Sequence, residues 1–290
     1  MMTGQLRETL RIVDDASVSA PDIKKNLSIE LMPDGFVFAV MDKDAFKYLA
    51  MAGYQPLQAS DQAPVYEQLC QEKQHIPLLN KTFEQIRVSY YAQELVLIPD
   101  KLYLPEEKNT CFSFSTPLPA RHHVRADYLN ILKAYALYAV PDHLPPMLEK
   151  YFPGYQLRHH GTALIEGTLA SQRLDKWQAD IVMHIKQSHF ELLIFRQGKF
   201  AYYRSFPVQT FEDLLYYLFY VLEQHHMSPE KSRVSVLGEL AMDSGNFVTL
   251  SSFFRHVSIP DRNDIFKYAS CFDSIPYHFY FNLLNLNICG

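Results

Sequence analysis

Ile181-Val182-Met183-His184-Ile185, Phe190-Glu191-Leu192-Leu193-Ile194-Phe195 and residues 200–206 are three runs dominated by apolar and aromatic side chains. Lys186-Gln187-Ser188 and Gln197-Gly198-Lys199 separate them. Short runs of this composition broken by polar turn residues predict three strands of a meander. A helix follows. Thr210 with Asp213 three residues on makes a capping-box start, and Phe211, Leu214, Leu215, Leu218, Val221 and Leu222 fall on one face before Ser228-Pro229. Arg233-Val234-Ser235-Val236-Leu237-Gly238-Glu239 then reads as a strand running into a glycine turn.

The same plan starts earlier in the chain. Leu27-Ser28-Ile29-Glu30-Leu31 alternates, Pro33-Asp34-Gly35 supplies turn chemistry, and Phe36-Val37-Phe38-Ala39-Val40 resumes the extended pattern, which is a hairpin. Asp44 is expected to cap a short helix through Leu49 and Met51 that stops at Gly53, and a second helix is expected from Pro64 to about Gln74. Strands are predicted at 85–91 and 94–98, short strands and loops at 99–119, and a strand buried on both sides at 133–140, ended by Pro141. A helix at 145–152, a strand at 155–159 and a small-residue helix at 162–172 complete this half. Near the end, 246–254 reads as helix and Val257-Ser258-Ile259 as a short strand. The repetition predicts a first lobe over 22–176 and a second over 177–290, after a polar leader at 1–21 expected to be disordered. Repeated α/β lobes place ligands in the cleft between them.

Composition narrows the function classes. A chain of 290 residues, 48% hydrophobic and 20% charged, is globular in type. Its formal charge of −5 argues against general nucleic-acid binding, which needs a basic face. The basic clusters Arg121-His122-His123-Val124-Arg125 and Lys24-Lys25 are too short to form a groove. The longest strongly apolar stretch, 214–222, is well below the ~20 residues of a membrane span, and the first 20 residues lack a signal-peptide core. A cytoplasmic location is therefore expected. Cys70, Cys111, Cys271 and Cys289 have no CxxC spacing, so reduced thiols are expected rather than a zinc site or disulfide framework. The pairs His122-His123, His159-His160 and His225-His226 point to opposite faces if extended, so no metal site is expected of them and surface or helix-end positions are. Nineteen Tyr and 20 Phe against one Trp fit a strand-rich core, with a protein-binding surface as the sharper alternative.

The stretch 179–239, with its Arg196-Gln197-Gly198-Lys199 turn, Arg204-Ser205-Phe206-Pro207 exit strand, helix and Val236-Leu237-Gly238 strand, resembles the second lobe of actin-like ATPases, the pilus-assembly protein PilM in particular. Over about 22–290 the layout resembles a bacterial family of unknown function with this fold, known mainly from Bacteroidetes. The resemblance implies an α/β chain with an actin-like ATPase (ribonuclease H-like) fold, built as two duplicated lobes of mixed sheets flanked by helices.

In working ATPases of this fold, each lobe's first hairpin carries an acidic residue and then a glycine that lets backbone amides approach phosphate. The matching stretches here are Ile29-Glu30-Leu31-Met32 and His184-Ile185-Lys186-Gln187, and both glycines are missing. Glu30 could replace the first carboxylate, but His184 and Lys186 cannot replace the second. Gly238, followed by Glu239, matches the adenosine-loop glycine. No catalytic residues are expected. Any cofactor contact is expected from Glu30, Lys186, Ser188, Gly238 and Glu239 in the cleft. The resulting expectation is a non-catalytic scaffold or adaptor with an unidentified protein partner and no cofactor. The alternative is a divergent protein that binds ATP and magnesium, or a weak ATPase. A third possibility, an enzyme using cleft histidines, requires His184 or His189 beside a carboxylate.

Overall fold

The structure, a computed structural model, describes residues 6–57, 64–173, 178–262 and 264–288. In chain order it contains β1 (Leu6–Val13), α1 (Asp15–Ser19), β2 (Lys25–Met32), β3 (Gly35–Asp42), β4 (Lys47–Pro56), α2 (Val65–Glu72), β5 (Gln85–Tyr90) and β6 (Val96–Pro99). Next come α3 (Lys108–Ser115), β7 (His122–Leu129), β8 (Ala134–Pro141), α4 (Leu144–Tyr151), β9 (Gln156–His159) and α5 (His160–Arg173). The second half holds β10 (Ile181–Ile185), β11 (His189–Arg196), β12 (Lys199–Pro207), α6 (Phe211–Gln224), β13 (Arg233–Gly238), α7 (Gly245–Phe253), β14 (His256–Ser258), β15 (Lys267–Tyr268) and α8 (Phe281–Asn285).

The described residues form three sheets. The first has the order β1-β4-β3-β2-β5-β9 with β15 added on β4, the second β12-β11-β10-β13-β14, and the third β6-β8-β7. The duplication read from sequence is visible strand by strand. β2, β3 and β4 form an antiparallel meander, β5 runs parallel to β2, and β9 runs parallel to β5. β10, β11 and β12 repeat the meander, β13 runs parallel to β10, and β14 runs parallel to β13. Met32 pairs with Gly35 across a two-residue turn, so Pro33-Asp34 closes the first hairpin as its residue types predict. Thr210 and Asp213 make the capping box of α6, whose Leu214, Leu218, Val221 and Leu222 are buried while Tyr216 and Tyr220 face outward.

One apolar core lies between the first sheet and α2 and α4, and another joins the second sheet to α6 and α7. A third joins the lobes. Ala39, Met41, Tyr48 and Met51 of the first sheet meet Val182, Leu193 and Leu237 of the second, with Leu164 and Ile165 of α5 and Phe281 and Leu284 of α8.

Several expectations are corrected. The leader is not disordered from Leu6 onward: β1 pairs with β4 from Leu6↔Pro56 to Val13↔Ala50. Its outward residues are polar, so an edge strand looked patternless. The helix expected after Asp44 is β4, whose residues 48–54 are buried and which lies between β1 and β3. A short apolar run has no period of its own, and pairing on both sides decided the matter. Residues 99–119 hold α3 instead of strands, and the Arg121-to-Arg125 cluster falls largely on β7. The C-terminal residues 267–288 touch both sheets: β15 pairs with β4, α8 packs on α5, β2 and β3, Tyr48 donates to the Leu284 carbonyl at 2.7 Å, and residues 277–280 pack on β13. Cys289 lies outside the described residues. Cys70, Cys111 and Cys271 are free thiols, with Cys70 buried and the other two half-buried.

Candidate functional site at the junction of the lobes

β2 and β10 are the first strands of the two repeats, and their C-terminal ends bring Glu30 and Lys186 together. The Lys186 Nζ lies 3.7 Å from Glu30 Oε1 and 3.5 Å from Glu239 Oε1, and donates to the Phe279 carbonyl at 3.4 Å. Glu30 is 1% exposed and Lys186 9%. Burial works against the ammonium, but the carboxylates of Glu30 and Glu239 outweigh it and hold the lysine above its usual pKa. Partial desolvation raises the Glu239 carboxyl above its usual range, although its side chain stays 43% exposed. Of the five expected cleft residues, Glu30, Lys186 and Glu239 therefore converge. Ser188 sits in the exposed β10–β11 turn, 3.3 Å from His189 Nδ1.

Gly238 has a backbone reason for being glycine. Its φ is +82°, and a Cβ there would lie 2.0 Å from the Ile185 carbonyl oxygen. The turn is tied by Glu239 N–H donating to that same carbonyl at 2.7 Å. Close contact with β10 is by itself enough to require a glycine at this position.

Behind Lys186 the polar chain continues into the protein. Glu30 Oε1 also lies 3.3 Å from Nδ1 of His160, the first residue of α5, and the Nε2 of that ring lies 2.8 Å from Glu191 Oε2. Glu191 faces His184 across the β10–β11 register, and His184 Nδ1 is 2.8 Å from the same carboxylate oxygen. The Tyr203 hydroxyl of β12 donates to the other oxygen. Tyr91, which follows β5 in the first lobe, packs its ring 4.0 Å from that of His189 and bonds Ser205 at 3.0 Å. Glu30, His160, His184, His189 and Glu191 are all at most 1% exposed.

Burial works against the Glu191 carboxylate, but His160 and His184 outweigh it and hold it well below the usual range. Burial also holds His184 down to about 4, and His159, whose Nε2 is 2.7 Å from the Ala92 carbonyl, to about 4. Both imidazoles are neutral in the folded protein at pH 7. The unfolded chain binds their protons near pH 6.5, so stability is fully present above that value and is lost as pH falls toward about 4. Each histidine steepens the loss by up to about 1.4 kcal/mol per pH unit. Denaturant midpoints measured from pH 7.5 to 5 are expected to fall steadily, and a flat profile would contradict neutral burial.

Residues that sequence reasoning missed are His160, Glu191, Tyr203 and Asn282, whose amide nitrogen lies 2.5 Å from His160 Nε2. His159-His160, expected at the surface or at a helix end, are both fully buried, and His160 does stand at a helix end, as the first residue of α5. A usable signal was the i, i+2 spacing of His184 and Lys186 and of His189 and Glu191, which puts two polar side chains on one face of an otherwise apolar strand. His225 does cap the end of α6, as its position suggested.

Residues 20–257 match the protein family of unknown function DUF3822. The chain belongs to that family. Its fold is shared by a Bacteroides thetaiotaomicron protein of actin-like ATPase fold and unknown function, 18% identical, with a TM-score of 0.70 over 81% of this chain and 90% of the other. PilM, solved in the PilM–PilN type IV pilus biogenesis complex, is 13% identical with a TM-score of 0.65 over 91% and 97%. The ethanolamine utilization protein EutJ of Carboxydothermus hydrogenoformans is 12% identical with a TM-score of 0.50 over 96% and 93%. No curated protein sequence matches. The DUF3822 chain therefore has the actin-like fold expected of it, and among its described residues no helix is long and apolar enough to cross a membrane.

Proposed function

We propose that this DUF3822 protein is a non-catalytic actin-like scaffold or adaptor that acts in the cytoplasm by holding a protein partner. The observation that carries the reading is the Lys186 ammonium seated between Glu30 and Glu239 where the ends of β2 and β10 meet. A triphosphate approaching these turns would have to displace a buried ion pair, and it would meet the Met32 side chain where a phosphate-binding turn needs a bare Cα. Glu30, Glu239 and Asp34 all act on Lys186, so the carboxylates around the ammonium outnumber it and disfavour an approaching polyphosphate. PilM, of the same fold, is known here in complex with a second protein, which supports the adaptor reading.

The enzyme reading meets its geometric condition, because His184 does sit beside the Glu191 carboxylate. Both side chains are fully buried, however, and a substrate could not touch them without separating the lobes. The deciding experiment is calorimetric titration with ATP and magnesium. The expected result is no saturable binding, a dissociation constant weaker than about 1 mM and thus less than about 4 kcal/mol of binding free energy. Micromolar binding would overturn the scaffold reading in favour of a divergent nucleotide-binding protein.

A further inference from the structure

The scaffold reading leaves one set of buried donor atoms without a role. His160 opens α5, and His189 and Glu191 lie two residues apart on β11 and so share a face of that strand. One ligand atom from each falls within 4.8 Å of the others. We propose that His160, His189 and Glu191 bind one divalent transition metal ion of the zinc class, fastening the helix that leads out of the first sheet to the second sheet.

The donor set selects the class of ion. Two imidazoles and one carboxylate suit zinc and its first-row neighbours, whereas magnesium and calcium take oxygen ligands throughout. Metal–ligand bonds of about 2.0–2.2 Å place neighbouring ligands in a tetrahedron about 3.5 Å apart, so side-chain shifts of an ångström or less close the set. The His189 Nε2 supplies an independent pointer, being buried with no hydrogen-bond partner. A nitrogen left so in the interior calls for a proton acceptor, a donor or an ion.

The surrounding groups are those that hold metal-binding histidines in place. Glu30 Oε1 stands 3.3 Å from His160 Nδ1, close to it but not hydrogen-bonded, while Nε2 is directed at Glu191 and faces the Asn282 amide nitrogen. A small turn of the ring toward Glu30, away from Asn282, completes a carboxylate–histidine–metal triad. Ser188 Oγ stands 3.3 Å from His189 Nδ1, which leaves the unpartnered Nε2 of that ring for the ion. Tyr203 donates to one oxygen of Glu191 and so fixes the carboxylate plane. His184, bonded to the other oxygen, is a positioning residue rather than a ligand. Because all three ligands are at most 1% exposed, an ion enters only while the lobes are apart or the chain is folding.

The test follows from that burial. Full-length protein is unfolded in guanidinium with a chelator, then refolded with zinc, with cobalt or with chelator alone, and free metal is removed before elemental analysis and melting. The expected result is one zinc per chain, a visible ligand-field band in the cobalt form, and a higher melting temperature with zinc than with chelator. Recovery of folded protein only in the presence of metal would support the site equally. His189→Leu removes a ligand along with the unpartnered nitrogen, so without a metal site it leaves stability unchanged or improved. With the site it abolishes the zinc-dependent rise in melting temperature and lowers zinc affinity at least tenfold. Only traces of zinc after refolding, or stoichiometric zinc that His189→Leu retains, would overturn the proposal. No nucleotide enters this experiment, so its outcome and that of the ATP titration are independent.

Discussion

Lys186→Met is expected to lower the free energy of unfolding by about 3 kcal/mol, because it leaves the buried Glu30 carboxylate without its cation. The substitution keeps the length and apolar stem of the side chain, so lost packing contributes little. Glu30 Oε1 has no hydrogen-bond partner, which makes it depend on the ammonium 3.7 Å away. Glu239 is exposed and loses far less. Urea unfolding at pH 7 measures the effect, and the double change Lys186→Met/Glu30→Gln is expected to recover much of it, since removing both charges avoids an uncompensated buried one. A loss under about 1 kcal/mol would mean that the bridge contributes no more than a surface pair.

Glu191→Gln is expected to cost as much, about 3 kcal/mol, for a different reason. The carboxylate accepts from Tyr203 through one oxygen and faces His184 Nδ1 and His160 Nε2 through the other. A glutamine of the same shape offers one carbonyl and one NH₂ and no charge, so it cannot accept from Tyr203 and from the histidines at once, and the partner that meets its NH₂ must give up its own donation to Glu191. The three groups belong to α5, β10 and β12, and the loss should appear as a lowered melting temperature with an unchanged circular dichroism spectrum at 20 °C. Glu191→Asp keeps the charge but draws it back by one methylene, and a fall as large as that of Glu191→Gln would show that reach matters as much as charge. Wild-type stability in Glu191→Gln would sink the hydrogen-bonding assignment.

Legibility in the sequence followed how local each cause was. The meander of β10, β11 and β12, the capping box at Thr210 and the glycine turn at Gly238 are set by neighbouring residues, and all lie where residue types placed them. The first repeat was legible at its hairpin and not at β4, because Tyr48 to Ala52 become a central strand only through β1 on one side and β3 on the other. The site divides in the same way. Glu30, Lys186 and Glu239 could be proposed because each stands at a strand end that the repeat itself marks. His160 could not: it reaches Glu191 through a contact between α5 and β11, and no spacing along the chain encodes that meeting.

The return of the chain to its starting lobe has a consequence for assembly. Asn287 bonds Ser28, a partner 259 residues earlier, and also the Tyr48 hydroxyl, while α8 covers the face of β2 and β3. During synthesis the amino-terminal sheet can pair its strands early, but that face stays bare until residues 281–287 have left the ribosome. Closure over so long a loop is slow, and until it happens an apolar patch is open to chaperones or to a second nascent chain.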